Sequence, residues 1–167
     1  MTRSAAVLLA IIAACGSSDP LPGYRPATGD ERATVMGVVE EYYALLDRAQ
    51  VTGDASALLA RHPGLATGQQ RERGINIETW MVERTRALAV REVRVDIESY
   101  EPVRVYVKDT AAAAFVHGLF TWEYQQGLPT RGELAVRMDL ARSGDRWTIE
   151  RTDEWTLGET PPPTPRR

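Results

Sequence analysis

Residues 35–49, VMGVVEEYYALLDRA, and residues 93–107, VRVDIESYEPVRVYV, decide the fold between them. In the first stretch Val35, Val39, Tyr42, Leu46 and Ala49 step by four and three, the spacing of one helical face, and Val38 and Leu45 widen the stripe. Glu40, Glu41, Asp47 and Arg48 take the other side. In the second stretch the period falls to two. Val93, Val95 and Ile97 alternate with Arg94, Asp96 and Glu98, and after Pro102 the alternation resumes at Val103, Val105 and Val107. A proline cannot donate to a sheet ladder, so this region is an edge, a bulge or a bend rather than one straight central strand.

Working outward, Thr28 or Asp30 can cap the first helix, and Thr28 with Glu31 fits a capping box. Gly53-Asp54 ends it, Ala55 to Arg61 forms a second short helix, and His62-Pro63-Gly64 breaks the chain. Asn76 caps a further helix from about Ile77 to Val90, with Trp80, Arg84 and Ala87 on one face. Beyond the Lys108-Asp109 turn, strands are expected at Ala112 to Tyr124, Glu133 to Arg142 and Arg146 to Trp155. Gly127 to Thr130 and Ser143-Gly144-Asp145 are the connections. Helices first and an antiparallel meander second make an α+β domain.

The two ends have a different character. Arg3, the apolar run Ala5 to Ala14 and the small pair Ala13-Ala14 before Cys15 have the layout of a secretory signal peptide. Ile12-Ala13-Ala14-Cys15 closely resembles the lipobox of bacterial lipoproteins. That resemblance implies cleavage after residue 14 and diacylation of the Cys15 thiol. It implies export, with the chain held by lipid on the periplasmic or cell-surface face of the bacterial envelope. The apolar run is about half the roughly 20 residues a membrane span needs. Residues 15–30, rich in Pro, Gly and Ser, read as the lipidated N-terminus and a flexible linker, reaching on the order of 40 Å when extended. Residues 31–156 read as the domain, and residues 157–167 as a Pro-rich disordered tail.

Composition narrows the function classes. Cys15 is the only cysteine, so the body has no thiol for a disulfide or for zinc. A net charge of -3 with mixed signs gives no field for nucleic acid. His62 and His117 are far apart and no carboxylates cluster, which argues against a metal site, and no motif calls for a cofactor.

The order of elements, with VVEEYYALLDRAQVTGDASALLARH, KDTAAAAFVHGLFTWEY and SGDRWTIERTDEW, resembles the SnoaL-like branch of the NTF2-like superfamily. The likeness covers about Glu31 to Thr156 and departs most at residues 65–74. It implies an NTF2-like (cystatin-like) cone, a curved antiparallel sheet wrapped around the N-terminal helices, with a central pocket. On such a cone Tyr42, Arg151, Asp153 and Trp155 are the pocket set, because strict alternation puts Trp147, Ile149, Arg151, Asp153 and Trp155 on one face of the last strand. Arg151 and Asp153 then orient a ligand or act as an acid/base pair, or more simply form an ion pair at a strand end, with the Tyr42 hydroxyl tied to backbone. His117 falls on the strand face opposite Val116 and Phe120 and so points outward, and His62 belongs to a turn.

Two functions compete on these residues. The first is a non-enzymatic lipoprotein domain that binds a small apolar ligand or an envelope protein. The second resembles the SnoaL-like cyclases and ketosteroid isomerases, with Asp153 as base and Tyr42 as oxyanion donor. Arg151 beside Asp153 would weaken that base. Homodimerisation through the convex sheet face is compatible with either.

Overall fold

The computed structural model describes residues 21–67 and 77–154. The leader, Cys15, Trp155 and the tail lie outside the described residues, as do most of the stretch 65–74 and the side chain of Trp80. The elements run β1 (Arg25–Pro26), α1 (Gly29–Thr52), α2 (Ser56–Arg61), α3 (Pro63–Thr67), α4 (Ile77–Ala87), β2 (Val90–Asp96), β3 (Arg104–Lys108), β4 (Ala111–Tyr124), β5 (Thr130–Ser143) and β6 (Arg146–Glu154). The fold is α+β, with the helices in the N-terminal half and every strand pair antiparallel.

Capping and periodicity place α1. Glu31 Oε2 accepts from the Thr28 backbone N–H at 2.8 Å and from its hydroxyl at 2.9 Å, the reach-back arm of a capping box. Arg25 pairs with the same carboxylate at 2.6 Å, and its guanidinium is the main reason Glu31 is held down to about 2. At the other end Gly53 is left-handed (φ 76) and its N–H closes on Ala49 O at 2.8 Å. Val35, Val39, Tyr42 and Leu46 are buried as their spacing predicts. Of the expected break at His62-Pro63-Gly64 only His62 stands outside a helix: Pro63 and Gly64 open the short helix α3. Helix α4 stops at Ala87 rather than near Val90, because Ala89 turns left-handed (φ 51) and Val90 opens β2 opposite Tyr124.

The sheet is ordered β1-β3-β4-β5-β6, and β2 also pairs with β4. Strand β4 carries β5 along one edge, while its other edge is shared by β3 (opposite residues 111–115) and β2 (opposite residues 119–124). The bend expected around Pro102 is thus the gap between two strands laid end to end. One face of the sheet, with Val105, Val116, Met138 and Ile149, packs with α1 into the main core. Each such side chain contributes roughly 1.5–3 kcal/mol on burial.

Two expectations fail here, each for a physical reason. Residues 21–30 are not a free linker. Leu21 is buried against Ala113 and Phe115 on the sheet face turned away from α1. Arg25 and Pro26 pair with Val107 and Tyr106, and the Ala27 N–H donates to Val105 O at 2.9 Å. A segment this short shows no period, so its Pro and Gly content hides it.

The second failure is in β6. Leu140 opposes Ile149 but Asp139 opposes Arg151, so Glu150 is an extra residue, a β-bulge. One extra residue exchanges the faces of everything after it. Thr152, opposite Met138, turns toward α1, and Arg151 and Asp153 turn away. Helix α3 presses on the bulge: a Cβ at Gly64 would lie 2.7 Å from Glu150 Cα, so glycine is needed for the approach.

Candidate functional site

Between α1, α4 and the inner sheet face lies a cavity of about 330 Å³, at the small end of ligand-binding pockets. Leu46, Met81, Val95, Phe120, Trp122 and Leu134 give it a mainly apolar wall. The wall needs one glycine. A Cβ at Gly132 would collide with the Phe120 ring, so Gly132 makes the room in which that ring stands.

Tyr42 is at the site, as expected, but its partner is not the one expected. Its hydroxyl donates to Glu78 Oε1 at 3.1 Å, and the Thr152 hydroxyl donates to the same oxygen at 2.6 Å. Glu78 is 2% exposed and has no cation at salt-bridge distance among the described residues. Burial first, and then the Glu78 carboxylate, push the Tyr42 hydroxyl well above its ordinary value, so it remains a donor. Tyr42 and Thr152 line the cavity, and both commit their protons to Glu78. What they leave for a ligand is oxygen lone pairs.

Glu78 and Thr152 were not legible as site residues. Helix α4 buries Glu78, Val82 and Thr85, a stripe spaced by four and three but two-thirds polar, so hydropathy passes over it. The same helix lies along α1: the Thr85 hydroxyl donates to Gln50 O at 3.1 Å while Glu78 faces Tyr42. Gln50 is 3% exposed, lines the cavity, and its Oε1 is buried without a partner. Its signal was visible, as a polar residue at the position four beyond Leu46 in the apolar stripe of α1.

Arg151 and Asp153 are not brought to Tyr42. They pair with each other at 2.5 Å on the opposite face, in register with Asp139 and Arg137, themselves an ion pair at 2.7 Å. The simpler of the two expectations, a strand-end ion pair, describes them, and the bulge at Glu150 is the cause. His117 does face outward. Its Nε2 lies 3.0 Å from Glu133 Oε1, with Tyr100 stacked on the ring at 4.6 Å. His62, read as an idle turn residue, is fully buried. Its Nδ1 accepts the Ile149 N–H at 3.2 Å, tying the α2–α3 junction to β6, and burial above all lowers it to about 4.

Among the described residues no group of three or more His, Asp or Glu side chains is placed to hold a metal ion. No helix among them is long and apolar enough to cross a membrane. No protein-family model matches the chain, and no match is found among curated proteins.

Proposed function

We propose that this chain is an exported bacterial lipoprotein, anchored through acylated Cys15, whose NTF2-like, SnoaL-like domain binds a small apolar molecule in the cavity between α1 and the sheet. The observation that carries the binding role is the cavity itself: a mainly apolar chamber of about 330 Å³ in which the Tyr42 and Thr152 hydroxyls are already spent on a buried carboxylate. The lipobox-like Ile12-Ala13-Ala14-Cys15 supports the address. The order of helices and strands supports the family reading.

The proton-transfer alternative loses its base. Asp153 lies across the sheet from Tyr42, ion-paired with Arg151, and cannot work on a molecule held beside Tyr42. With Leu21 fixed on the sheet, the tether from Cys15 is six residues, so the domain sits within about 20 Å of the bilayer rather than twice that.

Native mass spectrometry of the chain purified from membranes tests both halves. Expected are a mature chain beginning at acylated Cys15 and a retained apolar molecule lost on unfolding. An unprocessed chain with a free thiol would remove the address, and a chain that never carries a ligand would remove the binding role.

A further inference from the structure

On the reading of the cavity as a ligand site, its polar groups also select the ligand. Gln50 stands eight residues beyond Tyr42, about 12 Å along α1. Helix α1 therefore gives the cavity a polar group toward each end, and the rest of the wall is mainly apolar, with Arg84, Thr130 and Glu133 as its other polar members. At the Tyr42 end the hydroxyl protons of Tyr42 and Thr152 point to Glu78, so neither of the two offers a donor, and the Glu78 carboxylate repels an anion. At the other end the Gln50 Oε1 is buried with no partner. An amide oxygen left so in an apolar chamber is a standing cost to the empty fold. A leucine would continue the stripe of Tyr43 and Leu46 without it.

We propose that Gln50 is the specificity residue of the cavity: its Oε1 receives the donor of a neutral head group, a hydroxyl or a primary amide, on an apolar molecule whose body lies along α1 toward Tyr42. The head group is neutral because the wall carries one cation, Arg84, and one anion, Glu133, with the Glu78 carboxylate behind Tyr42, so an ion of either sign meets a like charge as well as an opposite one. Pairing Gln50 exchanges an unsatisfied buried oxygen for a hydrogen bond, and so ligand affinity and resting stability are opposed at this one position.

The test uses the intact chain in lipid nanodiscs and three eight-carbon probes, octanamide, 1-octanol and octanoate, titrated calorimetrically with empty nanodiscs subtracted. The wild-type chain should bind octanamide and octanol about tenfold more tightly than octanoate. Gln50→Leu should weaken octanamide and octanol about tenfold, leave octanoate within about twofold, and raise the melting temperature of the unliganded chain. Gln50→Met carries the same test if the leucine variant does not fold. A Gln50→Leu chain that binds octanamide like wild type overturns the assignment. So does a wild-type chain that binds all three probes alike, or octanoate best, although the cavity would remain a ligand site. If none of the three binds, the ligand-site reading falls first and the Gln50 role falls with it.

Discussion

Glu78 holds two hydroxyl protons on one carboxylate oxygen in a setting with no cation beside it among the described residues. Glu78→Ala strands the Tyr42 and Thr152 hydroxyls and leaves a void, and should cost about 2–4 kcal/mol in urea unfolding. Glu78→Gln keeps an acceptor there and should cost about 1 kcal/mol. Equal losses in the two variants would show that the hydroxyl pair contributes nothing. Asp47 makes the second residue-scale prediction. Burial raises it to about 6 from an ordinary 3.8, and its Oδ1 is buried without a partner. The folded chain therefore holds a proton that the unfolded chain releases, and stability falls as pH rises through about 6. Asp47→Asn should stabilise by about 1–2 kcal/mol at pH 7.5, allowing for partial exposure, and by nothing below the unfolded value. His62 has the opposite sign. Lowered to about 4, it is neutral in the fold, so stability present above its ordinary 6.5 is lost as pH falls toward 4. In the Asp47→Asn background that acid-side loss should steepen in pH-dependent melts, since the opposing contribution is gone.

Strand β6 shows how one residue redirects a site. Strict alternation after Ile149 led to Arg151 and Asp153 on the inner face, and the extra residue Glu150 put Thr152 there instead. Deleting Glu150 would restore the alternation and drive two charges into the core beside Met138. The deletion chain should lose more than about 4 kcal/mol or fail to fold. Gly64→Ala, which sets a methyl against Glu150 Cα, should lose about 1–3 kcal/mol and displace α3. Gly132→Ala acts on the cavity rather than on the fold. It pushes the Phe120 ring out of its seat into the chamber, so octanamide affinity should fall with little change in melting temperature. Elements with a long period were legible at this scale: α1 with its Thr28–Glu31 cap, the strands flanking Pro102, and the outward face of His117. What escaped had no period to read. A two-residue strand at Arg25, a one-residue bulge and the polar inner stripe of α4 are set by tertiary packing, which alternation and hydropathy do not encode.

At the scale of the molecule, the two sheet faces have separate work. The inner face with α1 makes the core and the chamber, and the outer face carries the Arg137–Asp139 and Arg151–Asp153 pairs and the seat of Leu21. Because Leu21 is seated on this outer face, the proposed lipid at Cys15, six residues away in sequence, would tether the domain by it, and the expected homodimer contact there would have to accommodate residues 21–26. Photolabelling with a short alkyl diazirine, on the chain in its membrane and followed by peptide mapping, asks most directly whether the inner chamber receives apolar molecules. Label competed away by octanamide should fall between Tyr42 and Gln50 and at Trp122. Label confined to the exposed Leu119 and Leu128, with the α1 peptide clean, would contradict it.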